Sequence, residues 1–308
     1  MERRSLGTAS IDVSVVGLGC NNFGGRLDFV GTRAVVEAAL AAGVTFFDTA
    51  DVYGERGGSE RFLGEILEGR RDRVVLATKF GWEARLFSGP PGSRSSVRRA
   101  LEASLERLRT DHVDLYYYHR PDGVTPLAET LAAMHELVDD GRVRAIGCSN
   151  LNAEQLREAH AYAVESRREI AALQNQYSLL ERGAETEVLP LCLEYRIGFI
   201  PYFPLASGLL TGKYRRVQPA PSGSRLENRP DARADERLEQ VEALEEFATA
   251  RGHTLLELAI GSLASRPGVV SVIAGAMTPD QVRANAAAAW RLAGHDLDEL
   301  DAIRRAAA

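Results

Sequence analysis

Short runs that are apolar on both faces alternate along this chain with stretches whose apolar positions recur at helical spacing. The first run, Val15-Val16-Gly17-Leu18-Gly19, predicts a strand, and 32–42 predicts a helix stopped by Gly43. The couple recurs as a strand at 44–48 with a helix from Ser59, a strand at 74–78 with a helix over 94–107, and a strand at 113–118 with a helix opened by Thr125-Pro126. The second half repeats it with strands at 143–148, 172–176, 199–203 and 269–274. Their helices follow at the capping pattern Asn152-x-x-Gln155, over 185–195, beyond 235, and at Thr278-Pro279-x-Gln281. Strands buried on both faces and separated by amphipathic helices call for a parallel sheet covered by helices. Eight such units predict an α/β fold, a closed (β/α)8 TIM barrel, preceded by a β-hairpin around Gly7-Thr8. No G-x-G-x-x-G follows the first strand, which argues against an open dinucleotide-binding sheet.

Length fits that architecture: 308 residues with 45% hydrophobic content predict one barrel domain over 1–308. The long irregular stretch at about 214–235, rich in Pro, Arg and Ser, follows the seventh strand and is expected to cover a ligand rather than divide domains. A net charge of -6 argues against nucleic acid or an anionic membrane as partner. No stretch is apolar enough to span a bilayer, and no signal-peptide core follows the charged N-terminus. Cys20, Cys148 and Cys192 are widely separated, so neither a disulfide framework nor a cysteine zinc site is expected, and a reducing cytoplasm is.

In a parallel barrel every strand ends on the same face, so polar residues at strand ends converge. Asp48 and Tyr53 follow the second barrel strand, Lys79 the third and His119 the fourth. A phenol with an ordinary pKa of about 10 is a poor proton donor at neutral pH unless a cation lowers it. Lys79 supplies a cation, Asp48 can hold it charged, and His119 can hydrogen-bond the oxygen that the phenol protonates. Taken singly, each has a plainer role: a snorkelling lysine, a satisfied histidine, a capping aspartate, a packed tyrosine. Their joint placement at strand ends favours catalysis.

The stretches Asp48-Thr49-Ala50-Asp51-Val52-Tyr53-Gly54, Ala77-Thr78-Lys79-Phe80-Gly81, Tyr118-His119-Arg120-Pro121-Asp122, Ile146-Gly147-Cys148-Ser149-Asn150, Pro204-Leu205-Ala206-Ser207-Gly208-Leu209-Leu210-Thr211-Gly212-Lys213 and 275–285 occur in one order along the chain. Together they resemble the aldo/keto reductase family. The resemblance implies reversible, metal-free hydride transfer between a nicotinamide and a carbonyl, with Tyr53 as general acid, Lys79 and Asp48 tuning it, and His119 orienting the carbonyl. It implies NADPH as cofactor, NADH being the alternative. Ser149, Asn150 and Gln174 match positions that hold the carboxamide, and Tyr202 matches the ring-stacking aromatic. Gly19, Phe203, Pro204, Leu205, Ser207, Gly208 and Lys213 fall among the remaining matched cofactor positions, with Arg225 as a second phosphate-side cation. Gly275, Gln281 and Asn285 match the adenosine end. Gln281 is equally the third residue of a helix cap, Tyr202 equally core, and Arg225 equally a solvated loop residue.

The chain departs from the pattern at Phe203, where many relatives have a Ser, at 275–277, which lack a Lys or Ser for the 2′-phosphate, and at Ala284, which replaces a frequent Glu. The short stretch after the last helices implies that the long C-terminal substrate loop of some relatives is missing. A small carbonyl or alcohol, such as an aldehyde, ketone or sugar, is the expected substrate, with Phe23, Trp82, Phe87 and Tyr214 as apolar walls. The sequence leaves the oligomeric state open. Two other functions remain: a cofactor-binding regulatory subunit acting through a protein partner, and a metal-dependent barrel hydrolase using Asp48, His119 and Asp122, which has no His-x-His after the first strand.

Overall fold

The computed structural model describes residues 1–83, 89–216 and 218–306. An antiparallel hairpin of β1 (Arg3–Ser5) and β2 (Asp12–Ser14) precedes eight parallel strands. These are β3 (Val16–Gly19), β4 (Phe46–Asp48), β5 (Val75–Phe80), β6 (Val113–Tyr118), β7 (Val143–Ser149), β8 (Ala172–Gln176), β9 (Gly198–Tyr202) and β10 (Val272–Gly275). They pair in chain order, with β10 beside β3. Residues ahead of β10 close the ring: the Phe199 amide donates to the Gly268 carbonyl at 2.9 Å, and the Val270 amide to the Phe199 carbonyl at 3.0 Å. The helices outside are α1 (Phe29–Ala41), α2 (Tyr53–Ile66), α3 (Arg94–Leu108), α4 (Leu127–Asp139), α5 (Ala153–Ser166), α6 (Val188–Glu194), α7 (Asp235–Thr249), α8 (Leu255–Ala264), α9 (Pro279–Ala287) and α10 (Gly294–Ala306). The chain is therefore an (β/α)8 TIM barrel with an N-terminal hairpin.

Strand side chains alternate between faces, and that alternation sorts them into two cores. Outward residues such as Phe47, Leu76, Phe80, Tyr116 and Tyr118 pack against the helices. Inward residues Phe46, Ala77, Leu115, Tyr117, Ala145, Ala172, Ile200 and Ile273 form a separate cluster with Leu6, Ile11 and Val13 of the hairpin. The hairpin thus plugs the end at which the strands begin. Its turn fits because Gly7, at φ +56°, has no side chain: a Cβ there would lie 2.5 Å from the Ala171 carbonyl oxygen. Continuing the same period of two, Asp48, Lys79, His119, Ser149 and Gln174 follow the inward residues at the opposite end.

Most elements lie where the sequence predicts them, and the exceptions have local causes. The capping box of Asn152 and Gln155 opens α5 as expected. At α9, Thr278 accepts from the Gln281 amide, but the Gln281 side chain accepts from the Met277 amide rather than from the cap residue, so only half of the expected box forms. The helix expected from Ser59 is entered through Tyr53 by a left-handed turn, with φ of 65°, 54°, 63° and 90° at Gly54, Glu55, Arg56 and Gly57. The expected 185–195 helix is shorter, since residues Gly183–Glu185 form a tight 3-10 turn before it. A further cluster of Leu209, Leu210, Tyr214 and Leu226 with residues of α7, α8 and α10 anchors the segment after β9.

Candidate active site

β4 delivers Asp48, β5 delivers Lys79 and the turn into α2 delivers Tyr53 to one point at the strand ends. The Lys79 side chain is wholly buried, and its ammonium donates to Asp48 Oδ1 and, at 2.9 Å, to the Thr49 carbonyl. Gln174 Nε2 donates to the other Asp48 oxygen at 2.9 Å, so the carboxylate is held from both sides. Burial disfavours the Lys79 charge, but Asp48 and the Tyr53 hydroxyl outweigh it and hold the ammonium above its ordinary pKa. Burial also pushes the Tyr53 phenol up, while the Lys79 charge beside it pulls in the opposite direction. Lys79 Nζ stands 5.1 Å from the Tyr53 ring centroid.

His119 closes the far side. Its ring meets that of Tyr53 edge-on, with centroids 5.9 Å apart, and lies 4.7 Å from that of Trp82. Burial, then the charges of Lys79 and Arg120, hold its pKa well below the ordinary 6.5, so the imidazole is neutral at neutral pH. Its Nδ1 is buried without a hydrogen-bond partner.

These groups open into a groove of about 930 Å³. Every cofactor residue expected from the sequence lines it. Near His119, Ser149 Oγ donates to the Gln174 carbonyl at 2.7 Å, Asn150 Nδ2 donates to the His119 carbonyl at 2.9 Å, and Tyr202 OH donates to Asn150 Oδ1 at 2.7 Å. Gly19, Phe203, Pro204, Leu205, Ser207 and Gly208 continue the wall, and Asn150, Phe203 and Ser207 adopt positive φ, the kind of backbone strain that gathers at ligand sites. At the other end Gly275, Gln281 and Asn285 line the groove with Met277 and Ala284. Arg225 comes from the long irregular segment: its Nη2 donates to Asn22 Oδ1 at 3.0 Å, and its guanidinium lies 5.9 Å from the Phe203 ring centroid. Burial and then the neighbouring Arg26 charge lower the Arg225 pKa. Among the described residues neither Arg26, Lys213 nor Arg225 is ion-paired to a carboxylate, so three cations rim the groove uncompensated.

Two expected substrate walls lie elsewhere. Phe23 is fully buried in the outer core, and Tyr214 is 2% exposed with its hydroxyl accepting from the Leu226 amide. Neither lines the groove. Trp82 does, and Phe87 lies outside the described residues. The sequence reading missed Arg26, Cys20 and Val52 as lining residues; an arginine just before a helix carries no local mark of a site, and only the fold brings it near Arg225. Asp122 is occupied by the amides of Gly92, Val124 and Thr125. Among the described residues no three His, Cys, Asp or Glu side chains are grouped to hold a metal.

The sequence profile of the aldo/keto reductase family matches residues 15–305. The chain belongs to the aldo/keto reductase family. Its relatives include a probable voltage-gated potassium channel subunit beta of Oryza sativa subsp. japonica, 37% identical over 92% of this chain and 90% of the relative. The aldo-keto reductase YhdN of Bacillus subtilis (strain 168) is 35% identical over 98% and 93%, respectively. The NADH-specific methylglyoxal reductase of Escherichia coli (strain K12) is 34% identical over 94% and 93%. As a member of this family the chain is an NAD(P)H-dependent oxidoreductase.

Proposed function

We propose that this aldo/keto reductase reversibly reduces a small aldehyde or ketone to the alcohol without a metal, Tyr53 acting as general acid. The observation that carries this reading is the Asp48–Lys79–Tyr53 series beside a neutral His119, all at one end of a dinucleotide-sized groove. The groove suits the cofactor chemically, since its unpaired cations match a diphosphate and its Ser149, Asn150 and Gln174 amide and hydroxyl groups match a carboxamide. When bound there, NAD(P)H supplies the hydride. The protein does the rest: His119 donates a hydrogen bond to the carbonyl oxygen, Tyr53 passes it a proton, and Lys79 stabilises the phenolate left behind. Asp48 and Gln174 keep Lys79 in place throughout. Trp82 forms one wall for the substrate, and the 214–235 segment covers the nucleotide as part of one barrel domain.

For the cofactor, Met277 and Ala284 bring no charge to the adenosine end, while Lys213 and Arg225 bring cations. NADPH is the proposed cofactor and NADH an accepted one, in keeping with the NADH-specific name of the bacterial relative. The name of the Oryza sativa relative favours a second reading, a regulatory subunit that binds the same nucleotide and acts through a partner.

One assay separates them: NADPH and NADH oxidation with a panel of short-chain and aromatic aldehydes, in wild type and Tyr53→Phe. Reduction by wild type that falls by about 10²–10⁴-fold in the variant, with nucleotide affinity kept, is expected. Tight nucleotide binding without turnover across the panel would favour the regulatory subunit, and full activity in the variant would remove Tyr53 from its role.

A further inference from the structure

Behind the Lys79 ammonium lies a second buried polar cluster that the proposed chemistry does not use. Glu60 of α2 is fully buried and both its oxygens are taken, one by Thr78 Oγ1 at 2.5 Å and the other by Arg107 Nε at 2.7 Å. Asp51, 6% exposed, sits on the loop between β4 and Tyr53, and its amide donates to the Lys79 carbonyl at 3.0 Å. Its Oδ1 is buried without a hydrogen-bond partner. The charged or titratable groups facing it are Glu60 of α2, Arg107 of α3, Lys79 of β5 and Tyr116 of β6, together with the amide of Val52. Lys79 is committed to Asp48, and Arg107 Nε is spent on Glu60. A second buried carboxylate beside Glu60 would go uncompensated, so Asp51 keeps its proton. Burial, then the Glu60 charge, push the Asp51 carboxyl up to about 8.

We propose that Asp51 is a positioning residue whose neutral carboxyl keeps the Lys79–Tyr53 pair competent and whose ionisation slows reduction in alkaline solution. A negative charge at Asp51 offsets the pull of Lys79 on the phenol and makes it a weaker acid. It also competes with Glu60 for Arg107, loosening the link from Glu60 to Thr78, the neighbour of Lys79. The inference rests on the roles proposed for Tyr53 and Lys79.

The test is the pH profile of kcat for NAD(P)H-dependent aldehyde reduction in wild type, Asp51→Asn and Glu60→Gln, with thermal unfolding of each protein over the same pH range. Wild type should lose rate through an inflection near 8. In Asp51→Asn the inflection should vanish, raising the ratio of the rate at about pH 9 to that at about pH 6.5 by threefold or more. In Glu60→Gln it should move to lower pH, because a like charge has gone. Independently of turnover, Asp51 holds a proton in the folded but not the unfolded chain between the two pKa values, so wild type loses stability there as pH rises. The Tm of Asp51→Asn minus that of wild type should therefore grow from about pH 5 to about pH 8. An inflection unchanged in folded Asp51→Asn overturns the proposal, as does its absence from wild type. If Asp51→Asn does not fold, the direction of the Glu60→Gln shift decides. A growing Tm difference with no NAD(P)H oxidation at any pH would reject the proposed reductase chemistry instead.

Discussion

Each side chain in the groove is fixed less by its own type than by what holds it. Arg225 shows this best: it is half-buried, bonded to a neutral amide and beside another guanidinium, an arrangement that an anion would relieve. Arg225→Ala should weaken NADPH by about tenfold or more and NADH by less, since a charge-assisted hydrogen bond contributes about 1.5–3 kcal/mol. Fluorescence titration with both nucleotides checks this, and an equal loss for the two would take Arg225 off the 2′-phosphate. Phe23 and Tyr214 teach the converse. Both are loop aromatics of the kind that build substrate walls, yet Phe23 packs in the outer core and Tyr214 caps the Leu226 amide. Sequence supplies the aromatic; which way it turns depends on neighbours far along the chain.

Among the elements, the turn that carries Tyr53 departs most from expectation. Its left-handed run includes two non-glycine residues, Glu55 and Arg56, and persists because the surroundings over-determine it. A Cβ on Gly54 would lie 2.1 Å from the Phe23 carbonyl oxygen, and one on Gly57 would lie 2.4 Å from Arg107 Nε. Arg107 therefore passes beneath the turn on its way to Glu60. Gly57→Ala should destabilise the protein by about 1–3 kcal/mol and lower kcat more than it raises KM, because the strain falls on the segment that aims the phenol. Urea unfolding together with steady-state kinetics tests it; unchanged kcat with normal stability would show that the turn does not position Tyr53. A helix from Ser59 was legible from its apolar spacing, but the turn before it was not, since its conformation is imposed by Arg107 and the loop at Phe23.

The whole molecule is a barrel stoppered at one end and chemically active at the other. Leu6, fully buried among the inward strand residues, belongs to the stopper, and Leu6→Ala should cost about 2–5 kcal/mol while leaving nucleotide affinity unchanged. Chemical denaturation and titration measure the two, and weakened nucleotide binding would show that the ends are coupled. Acid should act at both ends, through His119 after the end of β6 and through His135, whose Nε2 meets the Glu169 carbonyl ahead of β8. His119 and His135 are both held neutral, chiefly by burial, with folded pKa values below the ordinary 6.5. Below that value the unfolded chain takes up protons that the folded chain refuses, so stability falls as pH drops toward the folded pKa values. His119→Gln should lessen that loss between about pH 6.5 and pH 5, read as Tm against pH. An identical slope in the variant would mean that His119 takes up protons alike in the folded and unfolded chain and is not held neutral by the fold.

The alternation of apolar runs and amphipathic helices by itself determined the barrel, its hairpin and the four groups at the strand ends. These follow from periods of two and of 3.6, which are local properties of the chain, and from the rule that parallel strands end on one face. Tertiary structure alone decided that Arg26 meets Arg225, that Phe23 and Tyr214 turn away from the groove, and that Asp51 Oδ1 is left without a hydrogen-bond partner near the buried Glu60. Each of those depends on contacts between residues distant in sequence, where burial and charge are set by the packed neighbours rather than by the residue's own place in a pattern.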